Sequence, residues 1–260
     1  MEAQKLREFL NRKVAEYNQP SFIAADPVSI PHRYTKGQDI EIAGFFASIF
    51  AWGNRTTIIN KTSELMRLMD DAPHDFITQH SDKELQRLLT FKHRTFNTTD
   101  LLYFLFFLKH HYKKHVSLET AFSKWMNQKD DNIGNALIGF HDYFFCLEDA
   151  PVRTKKHIAT PLRNSTCKRL NMYLRWMVRS DGGGVDFGLW KTISPSQLIC
   201  PVDVHVARVA RQFGLIKRAQ TDWLTALELT EALKKFDKKD PVKYDFALFS
   251  LGVVEKITSP

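Results

Sequence analysis

The chain has 260 residues, is 43% hydrophobic and 25% charged, and carries a formal net charge of +8. This composition is ordinary for a globular chain of one large domain or two small ones. Cys146, Cys167 and Cys200 are isolated and form no CxxC pair, which argues against a disulfide framework, a zinc ribbon and a cysteine-held iron–sulfur cluster. They indicate a reducing, cytoplasmic location, and the sequence predicts no metal and no cofactor.

The N-terminal stretch "MEAQKLREFLNRKVAEY" alternates charged with apolar residues and has no signal-peptide core. The longest strongly apolar run, "LLYFLFFL" at 101–108, is too short to cross a bilayer. We therefore expect a soluble protein without a membrane partner, and we expect it to be a monomer.

Apolar residues recur at helical spacing along nearly the whole chain, and no stretch alternates as a strand does. The pattern predicts an all-α protein. In chain order the predicted helices are 2–17, 39–51, 57–69, 82–89, 99–115, 117–126, 132–144, 166–179, 204–213, 222–235 and 241–251. The segments 18–37, 151–164 and 181–201 are predicted to be irregular.

The last predicted helix has the clearest end signals. Asp240 is expected to be its N-cap, Pro241 its first residue and Gly252 the residue just after its end. We expect the helices to form two lobes within one compact unit. One lobe should contain about 1–40 and 165–260, and the other about 41–164.

The excess positive charge lies in one segment, because residues 151–180 hold eight basic and no acidic residues. The rest of the chain has 29 of each sign. A surface with charge of one sign is typical of proteins that meet phosphates, whereas a solvated helix face usually mixes both signs. We expect phosphate contact by this basic segment, which contains Arg153, Lys155, Lys156, Arg163, Lys168, Arg169, Arg175 and Arg179.

Two residues of the second half carry a possible chemistry. Asp203 stands directly before an amphipathic helix in "CPVDVHVARVARQFG", so it is the natural N-cap. An N-cap carboxylate is held ionised, which also suits an anion beside a developing cation. Lys168 lies near the start of the preceding helix, after the turn-forming "TPLRNST", in which Asn164 can take a left-handed conformation. Taken alone, Asp203 is explained by capping and Lys168 by phosphate binding.

This order of turn, helix with Lys168 at its start, and "PVDVH" resembles the helix-hairpin-helix superfamily of DNA base-excision glycosylases. Residues 164–253 most resemble the archaeal 8-oxoguanine glycosylase branch and a related group of bacterial proteins of unassigned function. The resemblance implies a two-lobed helical glycosylase-like fold, a Lys168 nucleophile and an assisting Asp203 carboxylate. It also implies that the hairpin contacts DNA, through Arg163, Asn164, Ser165 and Arg169. The hairpin lacks the glycines common in the superfamily.

The chemistry explains why these residue types are needed. Cleavage of an N-glycosidic bond builds positive charge on the sugar, and a neutral amine can attack C1′ to give a Schiff base that later permits strand cleavage. The resemblance thus implies double-stranded DNA with a damaged base such as 8-oxoguanine as the partner, and the activity of a glycosylase with AP-lyase activity.

The resemblance also suggests where the base and the DNA stack are contacted. Asp245 and Phe249 are spaced i, i+4, as a base-reading polar residue and a stacking aromatic are in the family, although a solvated Asp beside a core Phe gives the same pattern. Asn54 and Arg55 occupy the place of the loop that probes the stack, although "WGN" is also a helix-terminating turn. Lys92 and Arg94 are candidates for further phosphate contacts.

Other features have simpler interpretations. His111 and His115 have the spacing of half a zinc site, but without further ligands we predict a basic surface helix. Trp176 and Trp190 are predicted to be core residues. Two alternatives to a glycosylase stay open, a catalytically silent nucleic-acid-binding module and a helix-turn-helix regulator with 204–213 as its recognition helix. Only a glycosylase needs a particular amine facing a carboxylate.

Overall fold

The computed structural model describes residues 2–127 and 129–255, and within them it contains helices and no strand. The all-α prediction is confirmed. In chain order the α-helices are α1 Ala3–Tyr17, α2 Pro20–Ile23, α3 Gly37–Phe50, α4 Arg55–Leu68, α5 Pro73–Gln79, α6 Asp82–Leu85, α7 Thr98–Tyr112, α8 Glu119–Ser123, α9 Gly134–Phe144, α10 Lys168–Val178, α11 Val204–Gln212, α12 Trp223–Lys234 and α13 Asp245–Val253. The 3-10 segments are Pro27–Ser29, Pro31–Arg33, Gln86–Leu88, Val152–Lys156, Pro161–Arg163, Pro195–Gln197 and Pro241–Tyr244.

The described residues divide into two units, each made of separate stretches of sequence. The first contains the N-terminal residues up to Phe22, the short stretch Asn127–Asn135, and the chain from Thr160 onward. The second contains Ile23–Met126 and Ala136–Ala159.

In the first unit, α13 packs against both α1 and α11. Helix α1 buries one apolar stripe, formed by Leu6, Leu10 and Val14. Trp176 and Trp190 are 0% and 2% exposed, which confirms the prediction that they belong to the core.

In the second unit, α3 is buried along nearly its whole length and packs against α4 and α5. Phe45 of α3 stacks on Phe104 of α7, with ring centroids 5.6 Å apart. The buried Glu41 accepts hydrogen bonds from the Tyr112 hydroxyl (2.9 Å), the Leu118 backbone N–H (3.0 Å) and the Ser117 hydroxyl. These donors compensate for burying a carboxylate inside an apolar helix bundle.

The last predicted helix begins as a 3-10 segment with Asp240 at its N-cap position and Pro241 as its first residue, as predicted. The Asp240 carboxylate makes no capping hydrogen bond and instead accepts hydrogen bonds from Arg179 Nε (2.8 and 3.0 Å). The prediction for Gly252 is wrong. Gly252 lies inside α13 rather than after it, because α13 continues to Val253. At this position a Cβ atom would lie only 3.1 Å from the Cβ of His205 in α11, so glycine permits close packing of α13 on α11.

The short helices α2 and α5 were not predicted, and both begin with a proline at the first helical position. Among the described residues, no helix is both long and apolar enough to span a membrane.

Candidate functional site

The hairpin that precedes α10 makes its turns without glycine. Asn164 has the predicted left-handed backbone (φ 54°), and so does Cys167 (φ 51°). The Ser165 hydroxyl accepts a hydrogen bond from the Cys167 N–H (3.1 Å), and the Asn164 carbonyl accepts one from the Trp223 N–H (3.3 Å). Burial raises the pKa of the Cys167 thiol to about 12, so this cysteine is an inert packing residue. The chain then enters α10 at Lys168.

The structure brings Lys168 and Asp203 together. Asp203 is the N-cap of α11, as predicted, and its Oδ1 accepts hydrogen bonds from the N–H groups of His205 (2.9 Å) and Val206 (3.0 Å). Its Oδ2 lies 3.7 Å from Lys168 Nζ. The side chains are 25% and 23% exposed, respectively, so a ligand can reach both. One carboxylate therefore caps a helix with one oxygen and faces an amine with the other.

A buried ion pair lies near these two residues. Arg175 Nη1 donates to Asp245 Oδ2, and the Arg175 guanidinium lies over the Phe246 ring at 4.3 Å. Burial raises the pKa of the Asp245 carboxyl to about 6 against the opposing effect of Arg175. The nearby Asp203 charge raises that pKa further and Lys168 lowers it, so Asp245 lies within electrostatic range of both.

Asp245 and Phe249 take their predicted places one turn apart on α13. Asp245 is buried, with one oxygen on Arg175, whereas Phe249 is partly exposed. Sequence reasoning missed the partnership of Asp245 with Arg175. Its only sequence signal is that Arg175 follows Lys168 by two helical turns and so shares its face of α10.

The prediction of a phosphate-binding basic segment is wrong for two arginines, because Arg175 and Arg179 are 4% and 1% exposed. Arg179 Nη1 lies 2.7 Å from Asp186 Oδ2, and Nη2 pairs with Asp181. Arg175 shares Asp186 through its Nε (3.3 Å). Buried guanidinium groups need such partners, and these acidic residues all lie outside the segment that appeared unopposed.

The basic segment is divided between the two units at residue 160. In the second unit Arg153 binds Asp100 (Nη1 to Oδ2, 2.7 Å) and Asn97. In the first unit the hairpin residues Arg163 and Asn164 are exposed. Arg169 is partly exposed, and burial lowers the pKa of its guanidinium to about 10, which leaves it charged at neutral pH. The cations available at the hairpin are therefore fewer than the sequence indicates.

Asn54 and Arg55 lie in the second unit. Asn54 is exposed and caps α4, because its Oδ1 accepts a hydrogen bond from the Thr57 N–H (3.2 Å). The preceding Gly53 has φ 106°, which favours glycine. Arg94 is exposed, and its guanidinium lies over the Trp52 ring at 4.4 Å.

The prediction of a basic surface helix is wrong for His111, which is fully buried. Its Nε2 lies 2.9 Å from the Ser117 carbonyl oxygen and its Nδ1 lies 3.2 Å from the Tyr143 hydroxyl. In residues 2–127 and 129–255 no group of three or more His, Cys, Asp or Glu side chains is arranged to hold a metal ion.

These features define an all-α protein with a solvent-accessible Lys–Asp pair at the starts of two helices. A family model described as "Protein of unknown function (DUF2400)" matches residues 26–254. Because the match covers most of the chain, the protein belongs to the DUF2400 family, and the whole Lys168–Asp203 site lies within the matched region. The search of curated proteins and the search of solved structures found no match.

Proposed function

We propose that this protein is a base-excision DNA glycosylase with AP-lyase activity, acting on an oxidised purine such as 8-oxoguanine in double-stranded DNA. The observation that carries the proposal is the 3.7 Å approach of Lys168 Nζ to Asp203 Oδ2, between residues far apart in sequence. Both side chains are partly exposed, as groups that touch a substrate must be. The proposed location is cytoplasmic.

In the proposed reaction, the neutral Lys168 amine attacks C1′ of the damaged nucleotide. The C1′–N bond breaks, its electron pair leaves with the base, and the base takes up a proton. Asp203 stabilises the positive charge that develops on the sugar, and its Oδ1 is kept in place by the α11 N–H groups. The attached amine then loses a proton, the C1′–O4′ bond breaks and O4′ takes up a proton, which gives the Schiff base that permits strand cleavage.

The base has to leave the DNA stack before this attack. We propose that Phe249 stacks on the extruded base, with Asp245 beside it. We also propose that Arg163, Asn164, Ser165 and Arg169 contact the DNA at the hairpin and that Asn54 and Arg55 contact the stack. The exposure of Arg163, Asn164 and Asn54 supports these assignments.

The contacts of α11 favour an enzyme over a helix-turn-helix regulator. A recognition helix presents free basic side chains to DNA. Here Arg208 Nη2 donates to the Gly252 carbonyl (2.9 Å), and Arg211 donates to the carbonyls of Arg218 and Ala219 (both 2.9 Å). A catalytically silent binding module is the second candidate, since it would keep the exposed hairpin.

Borohydride trapping tests the proposal, because reduction freezes a Schiff base as a covalent cross-link. We expect the wild type to form a cross-link with duplexes that carry an oxidised purine. Lys168→Gln should abolish the cross-link and keep DNA binding, because the amide is no nucleophile but retains much of the side chain's shape. Lys155→Gln, which removes the same charge from the second unit, is the matched control and should trap as the wild type does.

Asp203→Asn completes the same experiment. Asn is as good an N-cap as Asp, so α11 should persist while the negative charge is lost. We expect trapping to slow by about 10²–10³-fold, as for other preorganised electrostatic groups. Asp222→Asn changes another N-cap that pairs with a cation (Arg218, 2.7 Å), and it should leave the rate unchanged. Efficient trapping by Lys168→Gln would contradict the assignment of Lys168 as the nucleophile. Release of free base by the wild type without trapping would indicate a glycosylase that lacks lyase activity.

A further inference from the structure

The distance between Lys168 and Asp203 is not fixed by a bond between them. At 3.7 Å, Nζ and Oδ2 are beyond hydrogen-bond distance, and a lysine side chain has many rotamers. The separation must therefore depend on whatever holds α10 and α11 in place relative to each other.

One series of contacts connects the two helices through α13. Lys168 and Arg175 lie on the same face of α10, two turns apart. Arg175 joins α10 to the start of α13 through its hydrogen bond to Asp245 and through its contact with the Phe246 ring (4.3 Å). A planar guanidinium held both by a carboxylate and by an aromatic face has little freedom to move.

The other end of α13 lies directly against α11. Gly252 approaches His205 so closely that an added Cβ would be 3.1 Å from its Cβ and 3.2 Å from its carbonyl oxygen. Arg208 of α11 donates to the Gly252 carbonyl (2.9 Å). Since Asp203 caps α11, these contacts extend from the Lys168 helix to the Asp203 carboxylate.

We propose that Arg175 and Asp245 form a clamp whose function is to position Lys168 opposite Asp203. This inference rests on the proposed function, because it assigns positioning residues to the same reaction. A buried ion pair is weak evidence for stability, since desolvation of the two charges offsets much of their attraction. The clamp instead supplies geometric specificity, because the planar guanidinium binds Asp245 through Nη1 and Asp186 through Nε (3.3 Å), which fixes its direction as well as its distance.

Arg175→Lys tests the clamp, because it keeps the positive charge but removes the guanidinium fork. The matched control is Arg179→Lys, the same substitution one turn further along, at an arginine that is equally buried. Arg179 shares Asp186 with Arg175 and lies farther from the Phe246 ring (5.4 Å), but its other carboxylate partners are Asp181 and Asp240 rather than Asp245. In single-turnover trapping we expect Arg175→Lys to slow the reaction by about 10-fold to 100-fold, the scale of a small misplacement of reacting groups. DNA affinity and the Arg179→Lys rate should be unchanged.

A double-mutant cycle separates positioning from a general loss of packing. If the clamp acts through the Lys168–Asp203 geometry, Arg175→Lys should have little further effect in the Asp203→Asn background. Additive effects of the two substitutions would overturn the proposal. Equal slowing by Arg175→Lys and Arg179→Lys would also overturn it, because loosening of the core would then suffice.

A second readout does not require activity. In ¹³C-lysine-labelled protein, the Lys168 Cε signal, assigned by its loss in Lys168→Gln, should shift in Asp203→Asn and shift similarly in Arg175→Lys, but not in Arg179→Lys. An unchanged signal in Arg175→Lys would overturn the clamp. Should Arg175→Lys fail to fold, Asp245→Ala removes the carboxylate that Arg175 binds and is judged by the Lys168 signal alone. If the wild type traps no lesion and releases no base, the proposed function fails, while this signal still decides whether the clamp exists.

Discussion

Asp203 shows how one residue combines a structural with a chemical role, because its two oxygens face different groups. Oδ1 satisfies two N–H donors at the start of α11, and Oδ2 faces the Lys168 amine. The sequence predicts the cap correctly, and the structure adds that capping leaves the second oxygen available.

The buried His111 predicts a pH dependence of folding. Burial lowers the pKa of its imidazole from 6.5 to about 4, with the nearby His115 and Lys124 acting in the same direction. Below pH 6.5 the unfolded state therefore binds a proton at this histidine that the folded state does not bind. The contribution of neutral His111 to the free energy of unfolding is fully present above pH 6.5 and is lost as the pH falls toward 4. Between pH 7 and pH 5 we expect His111 to cost about 2 kcal/mol in the free energy of unfolding.

Urea unfolding of the wild type and of His111→Gln at both pH values measures this effect. Other histidines also titrate in this range, so the relevant quantity is the difference between the two proteins. The variant should lose less stability than the wild type on acidification. Parallel losses in the two proteins would mean that His111 is not the group responsible.

At the scale of the helices, Gly252 determines how closely α13 packs on α11. Gly252→Val would place methyl groups where a Cβ atom alone lies 3.1 Å from the His205 Cβ. We expect a loss of about 1–3 kcal/mol in the free energy of unfolding, as for other overpacked cores. The control is Gly37→Val, because a Cβ at Gly37 has no atom within 4 Å and both positions lie in α-helices, where valine is intrinsically more favourable than glycine. Equal losses at the two glycines in urea unfolding would contradict close packing.

The helices show which elements a single sequence can predict. Long periodic helices such as α1 and α7 were predicted to within a few residues, since their apolar periodicity is local information. Of the end signals of the last helix, Asp240 and Pro241 mark its start correctly, whereas Gly252 does not mark its end. Arg179 takes the Asp240 carboxylate, and Gly252 is needed for packing rather than for a turn.

In the candidate site, too, local sequence signals could be predicted and tertiary contacts could not. Lys168 and Asp203 could be proposed from their order along the chain, because each follows a local turn or cap signal. The burial and ion pairing of Arg175 and Arg179 could not be predicted, since their carboxylate partners lie beyond the basic segment and only the fold brings them together. Counting charge along a sequence therefore overestimates the charge on a surface.

At the scale of the whole molecule, the net charge of +8 predicts salt-sensitive binding to duplex DNA. Each neutralised phosphate releases about 0.9 counterion, so Arg163→Ala should reduce the slope of log affinity against log salt by about 0.9. Arg12→Ala removes the same charge from an exposed position on α1 and is the control. The slopes come from fluorescence anisotropy titrations at several salt concentrations. Equal slopes for the two variants would mean that Arg163 makes no specific phosphate contact.

Because α1 packs on α13, the region that the family model matches is shorter than the unit that folds around the site. The family match begins at residue 26, whereas Leu6, Leu10 and Val14 of α1 are buried in the unit that carries Lys168 and Asp203. The Tyr244 hydroxyl, just before α13, also donates to Asn11 Oδ1 (2.9 Å). A chain cut to the matched region would expose the α13 surface that α1 covers, so the minimal folding unit around the amine and its carboxylate begins upstream of the region by which the family is recognised.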